Sequence, residues 1–383
     1  MKILMAQDTF LPRLGGAEVH VWKLSKELRA RGYRITFVTA TPGPLLVDGF
    51  RVYRLAHLQS QGKRAVATLP FYLPQLMSLV KNCEIVHGHY TAFCSAVLGM
   101  LAWSLRRPFV VTLHGYGTLD SSVLGNFWSQ RWRFLAFRTA DKVIATSGEM
   151  AEVARRFVPR ERIVIVPNGV DTIGFAPSAD ALPPFPVRVA TVRRLVPKNG
   201  VQYLIEAVPF ILQRVPRPTE FWIVGDGPLR QYLETRVREL GVEKAVRFFG
   251  AVPNEHVPEI FKQTHVVVFP SSAESTSIAA LEAMAMAKPV VASAVGGYPE
   301  LLGANERGLL VKLFDHCQSN YDAPLSLPPE PVQALANAVI RLIAEPELAR
   351  ALGVKARAHV QRYYDWRLIA EKVERVYTDV MRK

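Results

Sequence analysis

The sequence predicts an α/β protein made of two doubly wound domains in tandem, and three observations predict it. Short runs rich in Val and Ile alternate with longer amphipathic stretches along the chain, the pattern of βα units around a parallel sheet. The alternation breaks once, at the stretch 176–186, where Pro177, Pro183, Pro184 and Pro186 leave no room for a strand or a helix. With 383 residues, 49% of them hydrophobic, the chain is long and apolar enough for two cores.

Taken in order, strands are predicted at Lys2–Ala6, Ile35–Thr39, Val52–Leu55, Glu84–His87, Phe109–Leu113, Lys142–Thr146 and Ile163–Val166. The clearest helix between them is Glu18–Ala30, whose apolar face includes Val19, Trp22, Leu24 and Leu28 and which Gly32 stops. After the proline-rich linker a second series begins, with strands at Arg188–Val192, Phe221–Val224, Val246–Phe249, Val266–Pro270, Pro289–Ala292 and Leu309–Val311. Helices are expected at Val201–Leu212, Leu229–Leu240 and Ile278–Ala287. The stretch Phe314–Pro331 reads as an irregular loop, and Pro331–Lys383 as helix with a break at Tyr363-Tyr364-Asp365. Apart from the general βα likeness of the halves, no repeat is found. Ligands of doubly wound domains bind beyond the carboxyl ends of the strands, so the chemistry is expected on the loops that follow strands.

Bulk composition narrows the function. Cys83, Cys94 and Cys317 are too few and too irregular for a disulfide framework or a zinc site, which favours a reducing compartment, with Cys83 and Cys94 as small core residues. The apolar run at the N-terminus stops at Asp8, short of a signal-peptide core, and reads as a strand. No run of about 18 apolar residues lacks a charge, so no bilayer-spanning helix is expected and the protein is read as cytoplasmic, soluble or peripheral. The net charge of +14 is lopsided: residues 1–175 carry 22 Lys and Arg against 11 Asp and Glu, or +11, leaving +3 for the rest. The first half should therefore attract an anionic partner such as a phospholipid surface or a phosphate-bearing acceptor. Nucleic acid is suggested by charge alone, with no motif behind it.

The most informative stretch runs from Phe269 to Ala285. A strand ends at Pro270, a polar loop follows, and an Ala-rich helix starts near Thr276 or Ser277. Free amides at that helix start, with the hydroxyls of Ser275, Thr276 and Ser277, suit a diphosphate. Glu274 lies just before the helix and Glu282 about two turns into it, so the two carboxylates can serve opposite ends of one elongated ligand, holding vicinal hydroxyls of a hexose and of a ribose. Taken alone, the pair also fits a capping loop with one surface and one helix glutamate.

The surrounding residues resolve that choice by resemblance. Pro270-Ser271, Glu274, Glu282-Ala283-Met284-Ala285, Lys288-Pro289-Val290-Val291, Gly296-Gly297 and Pro299-Glu300 resemble the signature of the retaining GT-B glycosyltransferases of family 4, also called glycosyl transferases group 1. The likeness extends over nearly the whole chain. Gly15-Gly16-Ala17-Glu18 is similar to the family's glycine loop, though a plain turn before a helix explains it alone. Thr112-Leu113-His114-Gly115 is similar to its Thr-x-His-Gly, and Pro167-Asn168-Gly169-Val170-Asp171 matches at the join of the domains. Gly225-Asp226-Gly227-Pro228 stands where the family approaches the nucleotide, and a simple turn accounts for it nearly as well. In Arg193-Arg194-Leu195-Val196-Pro197-Lys198-Asn199-Gly200 the chain departs from the family, with Arg193 where Gly is usual and Asn199 where Lys is usual.

The resemblance implies the GT-B architecture of two Rossmann-like domains. The boundaries are read as 1–175 for the acceptor domain and 176–364 for the nucleotide-sugar domain, with 365–383 packing back on the first. It implies transfer of a sugar, with retained configuration, from a UDP- or GDP-linked donor to a lipid-linked or polysaccharide precursor at a membrane surface. Glu274 would hold the donor sugar and Glu282 the ribose. Arg194 and Lys198 would neutralise the diphosphate, Lys198 standing in for the lysine missing at 199. His114 would sit beside the anomeric carbon, Gly15 and Gly16 near phosphate or sugar, and Gly225 and Asp226 near the nucleotide. No cofactor is implied beyond the nucleoside-diphosphate sugar, which is a co-substrate. Asp-x-Asp is absent, so metal independence is expected. His87-Gly88-His89 is read as a polar wall on the acceptor side rather than a metal pair.

Trp128, Arg131, Trp132, Arg133 and Arg138 lie in a stretch that interleaves aromatics and arginines at helical spacing. It reads either as a membrane-interface helix or as a helix that buries one aromatic face, with Lys63-Arg64 and Arg106-Arg107 as additions to a basic patch. The rival functions are a nucleotide-sugar epimerase of the same fold and a two-domain binding protein without chemistry.

Overall fold

The computed structural model describes residues 1–12, 15–55, 63–90, 93–115, 127–178, 185–315 and 323–382, and the side chains of 63–66 and 127–130 are left aside. Cys317, residues 179–184 of the linker and residues 316–322 of the 314–331 loop lie outside the described residues. The chain divides into two compact units, Met1–Asn168 with Trp366–Lys383, and Gly169–Asp365.

The first unit is built on an eight-stranded sheet. In chain order its elements are β1 (Lys2–Gln7), α1 (Gly16–Ala30), β2 (Arg34–Thr39), β3 (Leu46–Val47), β4 (Phe50–Arg54), α2 (Lys63–Lys81), β5 (Ile85–His89) and α3 (Phe93–Ser104). Then come β6 (Phe109–Leu113), α4 (Phe127–Thr139), β7 (Lys142–Ala145), α5 (Gly148–Ala154) and β8 (Ile163–Ile165). The strand order is β3-β4-β2-β1-β5-β6-β7-β8. Every pairing is parallel except that of β3 with β4. Strands covered by helices on both faces read as unbroken apolar runs, which is why β5 and β6 are buried along their whole length. The short β3 went unpredicted. It is the outer arm of a hairpin whose two-residue turn, Asp48-Gly49, takes positive φ at both positions, the geometry that an Asp-Gly pair favours.

The second unit has a six-stranded sheet, all parallel, in the order β11-β10-β9-β12-β13-β14. Its elements are β9 (Val187–Val192), α6 (Val201–Arg214), β10 (Thr219–Val224), α7 (Arg230–Glu239), β11 (Val246–Gly250), α8 (Val257–Lys262), β12 (Val266–Phe269) and α9 (Ile278–Ala285). They are followed by β13 (Val290–Ser293), α10 (Tyr298–Leu302), β14 (Leu309–Val311), α11 (Pro329–Ala344) and α12 (Pro346–Tyr363).

The division falls at Asn168, ahead of the proline-rich stretch, because the residues just after it belong to the second core. Val170 and Phe175 are buried there, and Val170 N–H donates to Tyr364 C=O at 2.8 Å, so the entering and leaving strands of chain run side by side. The last helix, α13 (Trp366–Met381), returns to the first unit. Its buried residues Trp366, Ile369, Ala370, Val373, Val376, Tyr377 and Val380 follow helical spacing and cover one face of the β1–β2–β5 region. In each sheet the strand order reverses beside the first strand, between β1 and β5 and between β9 and β12. Such switch points are where doubly wound sheets open a crevice at the carboxyl ends of their strands.

Candidate functional site

At the switch point of the second unit, the loops after β9 and β12 meet. Strand β12 is fully buried, and at its end the chain runs through Pro270–Ser277 before α9 begins at Ile278. Ser277 is the N-cap: its Oγ accepts from Ala280 N–H at 3.3 Å. Ser275 and Thr276 are buried, and Ser275 N–H is already taken by Glu274 Oε1 at 3.1 Å, so one of the predicted anion-binding amides serves Glu274 itself. The helix starts where it is expected, but Glu282 stands little more than one turn in rather than two, buried and accepting from Asn254 Nδ2 at 2.7 Å. The glycine pair after β13 packs directly on this loop. Gly296 has φ of +59°, and a Cβ there would lie 1.6 Å from Glu274 C=O.

Glu274 is the electrostatic centre of the site. Its Oε2 accepts from Arg193 Nη2 at 2.6 Å, with 7% of the arginine side chain and 17% of the glutamate exposed. Burial alone pushes the Glu274 carboxyl up, but the charges of Arg193 and Lys198 and the hydrogen bonds from Arg193 and Ser275 outweigh it and hold it below the usual carboxylate value. The site residue that sequence reasoning missed is therefore Arg193, the unexpected occupant of the glycine position. That departure from the family pattern was its only signal. Lys198, half-buried in the 3₁₀ turn Pro197–Asn199, lies near enough to act on Glu274 through its charge. Arg194 is exposed, and Asn199 is buried with its Nδ2 donating to Arg194 C=O at 2.7 Å. Asp226 is exposed and receives Gly227 N–H at 2.7 Å, holding its own turn, while a Cβ at Gly225 would come 1.8 Å from Arg193 C=O.

At the switch point of the first unit, histidines converge. His114, just past β6, shares a 2.9 Å hydrogen bond through Nε2 with Nδ1 of His89 at the end of β5. His20, from α1, sits edge-on to His114 with ring centroids 4.7 Å apart. His87 lies behind, bonded to Tyr377 Oη at 2.7 Å and Thr112 Oγ1 at 2.8 Å. All four are buried and held neutral by burial, His20 pulled down to about 4 and His87 to about 3. One ring nitrogen from each of His20, His89 and His114 falls within 4.8 Å of the other two, the only metal-ligand grouping among the described residues. Sequence reasoning named His114 and the His87/His89 pair but not His20, a polar residue in the buried stripe of α1. Gly15 caps α1 in extended conformation, with the Glu18 carboxylate so close that a Cβ would meet it at 2.5 Å, while the Cβ direction of Gly16 is open. Asp8, at the end of β1, accepts from Cys94 N–H at 3.2 Å, and burial raises its carboxyl to about 6.

The aromatic-arginine helix is α4, and its residues divide. Trp132 and Arg133 turn inward, Trp132 meeting Phe93 edge-on at 4.8 Å and Arg133 being 6% exposed, which removes both from any outer face. Arg131, Phe134 and Arg138 are exposed in a single stripe, and the side chain of Trp128 lies outside the described residues. No helix among the described residues is long and apolar enough to cross a membrane.

Two doubly wound units, each with its polar residues at a switch point, define a glycosyltransferase of the GT-B fold. The chain belongs to the family 4 glycosyltransferases: residues 14–173 match Glycosyltransferase Family 4 and residues 181–359 match Glycosyl transferases group 1. It is 28% identical over 396 residues to a subunit of human phosphatidylinositol N-acetylglucosaminyltransferase, the match spanning 99% of this chain and 76% of that protein. It is 29% identical over 413 residues to the alpha-maltose-1-phosphate synthase of Mycolicibacterium smegmatis, across 99% of this chain and all of that one. Among solved structures, sucrose-phosphate synthase from Thermosynechococcus elongatus superposes with a TM-score of 0.76 at 26% identity, over 99% of this chain and 98% of that one.

Proposed function

We propose that this glycosyltransferase is a retaining, metal-independent hexosyltransferase. On this reading the second unit takes a UDP- or GDP-linked sugar, and the basic first unit takes a phosphate-bearing or lipid-linked acceptor at the cytoplasmic face of a membrane. The observation that carries the reading is Glu274, a carboxylate held ionised by Arg193 and Lys198 on the loop that leads into α9. A charged carboxylate beside cations at a helix N-terminus can bind sugar hydroxyls while its neighbours neutralise a diphosphate. Lys198 and the exposed Arg194 would take up the charge that builds on the leaving diphosphate as the sugar–phosphate bond breaks. Glu282 would hold the ribose, and the neutral His114 would bind the sugar. The phosphate-bearing acceptor draws support from the +11 of residues 1–175 and from relatives named for phosphatidylinositol and for sugar phosphates.

A panel of nucleotide sugars, scored for transfer and for slow donor hydrolysis, tests the reading. Glu274→Ala should lower kcat/KM about 100-fold or more and Arg194→Ala about 10-fold, with thermal unfolding checked for each. Turnover should persist in excess EDTA. Unchanged turnover in both variants would sink the donor site, and epimer formation from donor alone would make the protein an epimerase.

A further inference from the structure

We propose that Arg193 is a positioning residue of the donor site, fixing the orientation and the charge of Glu274. The proposal rests on the donor-site reading above. Arg193 follows the last residue of β9, and its backbone is tied to the next strand by its N–H bond to Val224 C=O at 2.8 Å. Its guanidinium is therefore carried on the sheet rather than on a free loop. Nη2 donates to Glu274 Oε2 at 2.6 Å, Ser271 Oγ at 2.6 Å and Asn199 Oδ1 at 3.0 Å, two hydrogens shared among three acceptors, and Nη1 donates to Ser277 Oγ at 2.9 Å.

Ser271, Glu274 and Ser277 mark the beginning, the middle and the end of the loop between β12 and α9. One rigid fork thus sets the loop, the N-cap serine and the carboxylate together, which a point charge such as a lysine ammonium cannot do. With Oε1 bound to Ser275 N–H and Oε2 to Arg193, the carboxylate is oriented, yet each oxygen keeps lone-pair capacity for a ligand hydroxyl. Stability alone does not explain the arrangement. A buried ion pair is commonly no better than apolar residues of equal volume, and here Arg193 Nε–H is buried without an acceptor among the described residues. The cation is also displaced in sequence: the family's lysine position holds Asn199, and the guanidinium lies against its side chain, having entered from position 193.

The test compares wild type, R193Q, R193K, E274Q and R193Q/E274Q with the donor that wild type turns over best. R193Q should lower kcat about 30-fold with little change in KM, and R193K should recover part of that loss. The acid limb of the R193Q pH profile should move up by about one unit, because Glu274 without its cation protonates more readily. On the E274Q background, R193Q should cost no further activity. Wild-type kcat and acid limb in R193Q, or an equal loss from R193Q with and without Glu274, would overturn the proposal. If R193Q does not fold, R193K decides: a wild-type kcat there overturns it equally. A donor-free arm separates this proposal from the donor-site reading. The stability lost on acidification through the carboxylate range should be smaller in R193K than in wild type, because a less depressed Glu274 takes up its proton closer to where the unfolded chain does, and coincident curves mean that the fork does not tune Glu274. If wild type turns over no nucleotide sugar, the functional reading fails while this comparison still decides the coupling.

Discussion

The four buried histidines and Asp8 pull the acid stability of the first unit in opposite directions. In the unfolded chain each histidine titrates near 6.5, whereas in the fold burial lowers His20 to about 4 and His87 to about 3, and holds His89 and His114 well below their usual value. The unfolded state therefore binds more protons below about pH 6.5, and stability must fall as the pH drops from there toward 4. Asp8, raised to about 6 from 3.8, has the reverse sign, because its folded form is protonated first and gains stability as the pH falls from 6 to 4. Four groups outweigh one, so the unfolding midpoint should decline steadily between pH 7 and pH 4. Asp8→Asn should raise the midpoint at pH 7, where the charged carboxylate is least welcome. A flat midpoint across that range is incompatible with a neutral cluster. His114 and Glu274 were readable as site residues because strand-end motifs single them out. Arg193 and His20 were not, because only their neighbours in space distinguish them from any surface arginine or core histidine.

Two helices carry the predictions at the next scale. Helix α13 buries Trp366, Ile369, Val373 and Tyr377 against the first sheet, and Arg31 pairs with Glu371 at 3.1 Å and Glu374 at 2.9 Å along its exposed flank. The exposed ion pairs contribute little, so the apolar face holds the helix. Deleting residues 366–383 should leave a first unit that aggregates or unfolds, and Ile369→Ala alone should cost about 2–4 kcal/mol, read by denaturant midpoint. Helix α4 presents Arg131, Phe134 and Arg138 outward, while Phe71 on α2 is 83% exposed and Trp103 on α3 is 73% exposed. Exposed aromatics among arginines suit an anionic lipid surface. Sedimentation with anionic vesicles should fall as salt rises, and Phe134→Asp with Arg131→Glu should weaken it about tenfold or more. Equal binding by the variant would move the membrane face elsewhere. The sequence placed this helix but not its phase, since alternating aromatics and arginines fit either face until the packing partner, here Phe93, is known.

For the molecule as a whole, the uneven charge survives as the strongest statement about partners: the first half carries +11 of the +14. An acceptor without an anionic group should be used poorly, and for an anionic acceptor KM should rise with ionic strength while donor KM changes less. Equal salt dependence of the two KM values would remove charge from acceptor choice.

The βα alternation determined both sheets, because buried parallel strands must be apolar throughout and their helices amphipathic. The short motif from Pro270 to Glu300 pointed to the chemistry class through its resemblance to the family 4 signature, since its two carboxylates taken alone also fit an ordinary capping loop. Tertiary structure alone decided where the chain parts, since Val170 and Phe175 choose their core by contact rather than by local pattern. It also decided which cation serves Glu274. Side chains far apart in sequence meet there, and the charge of a buried carboxylate depends on what surrounds it in space.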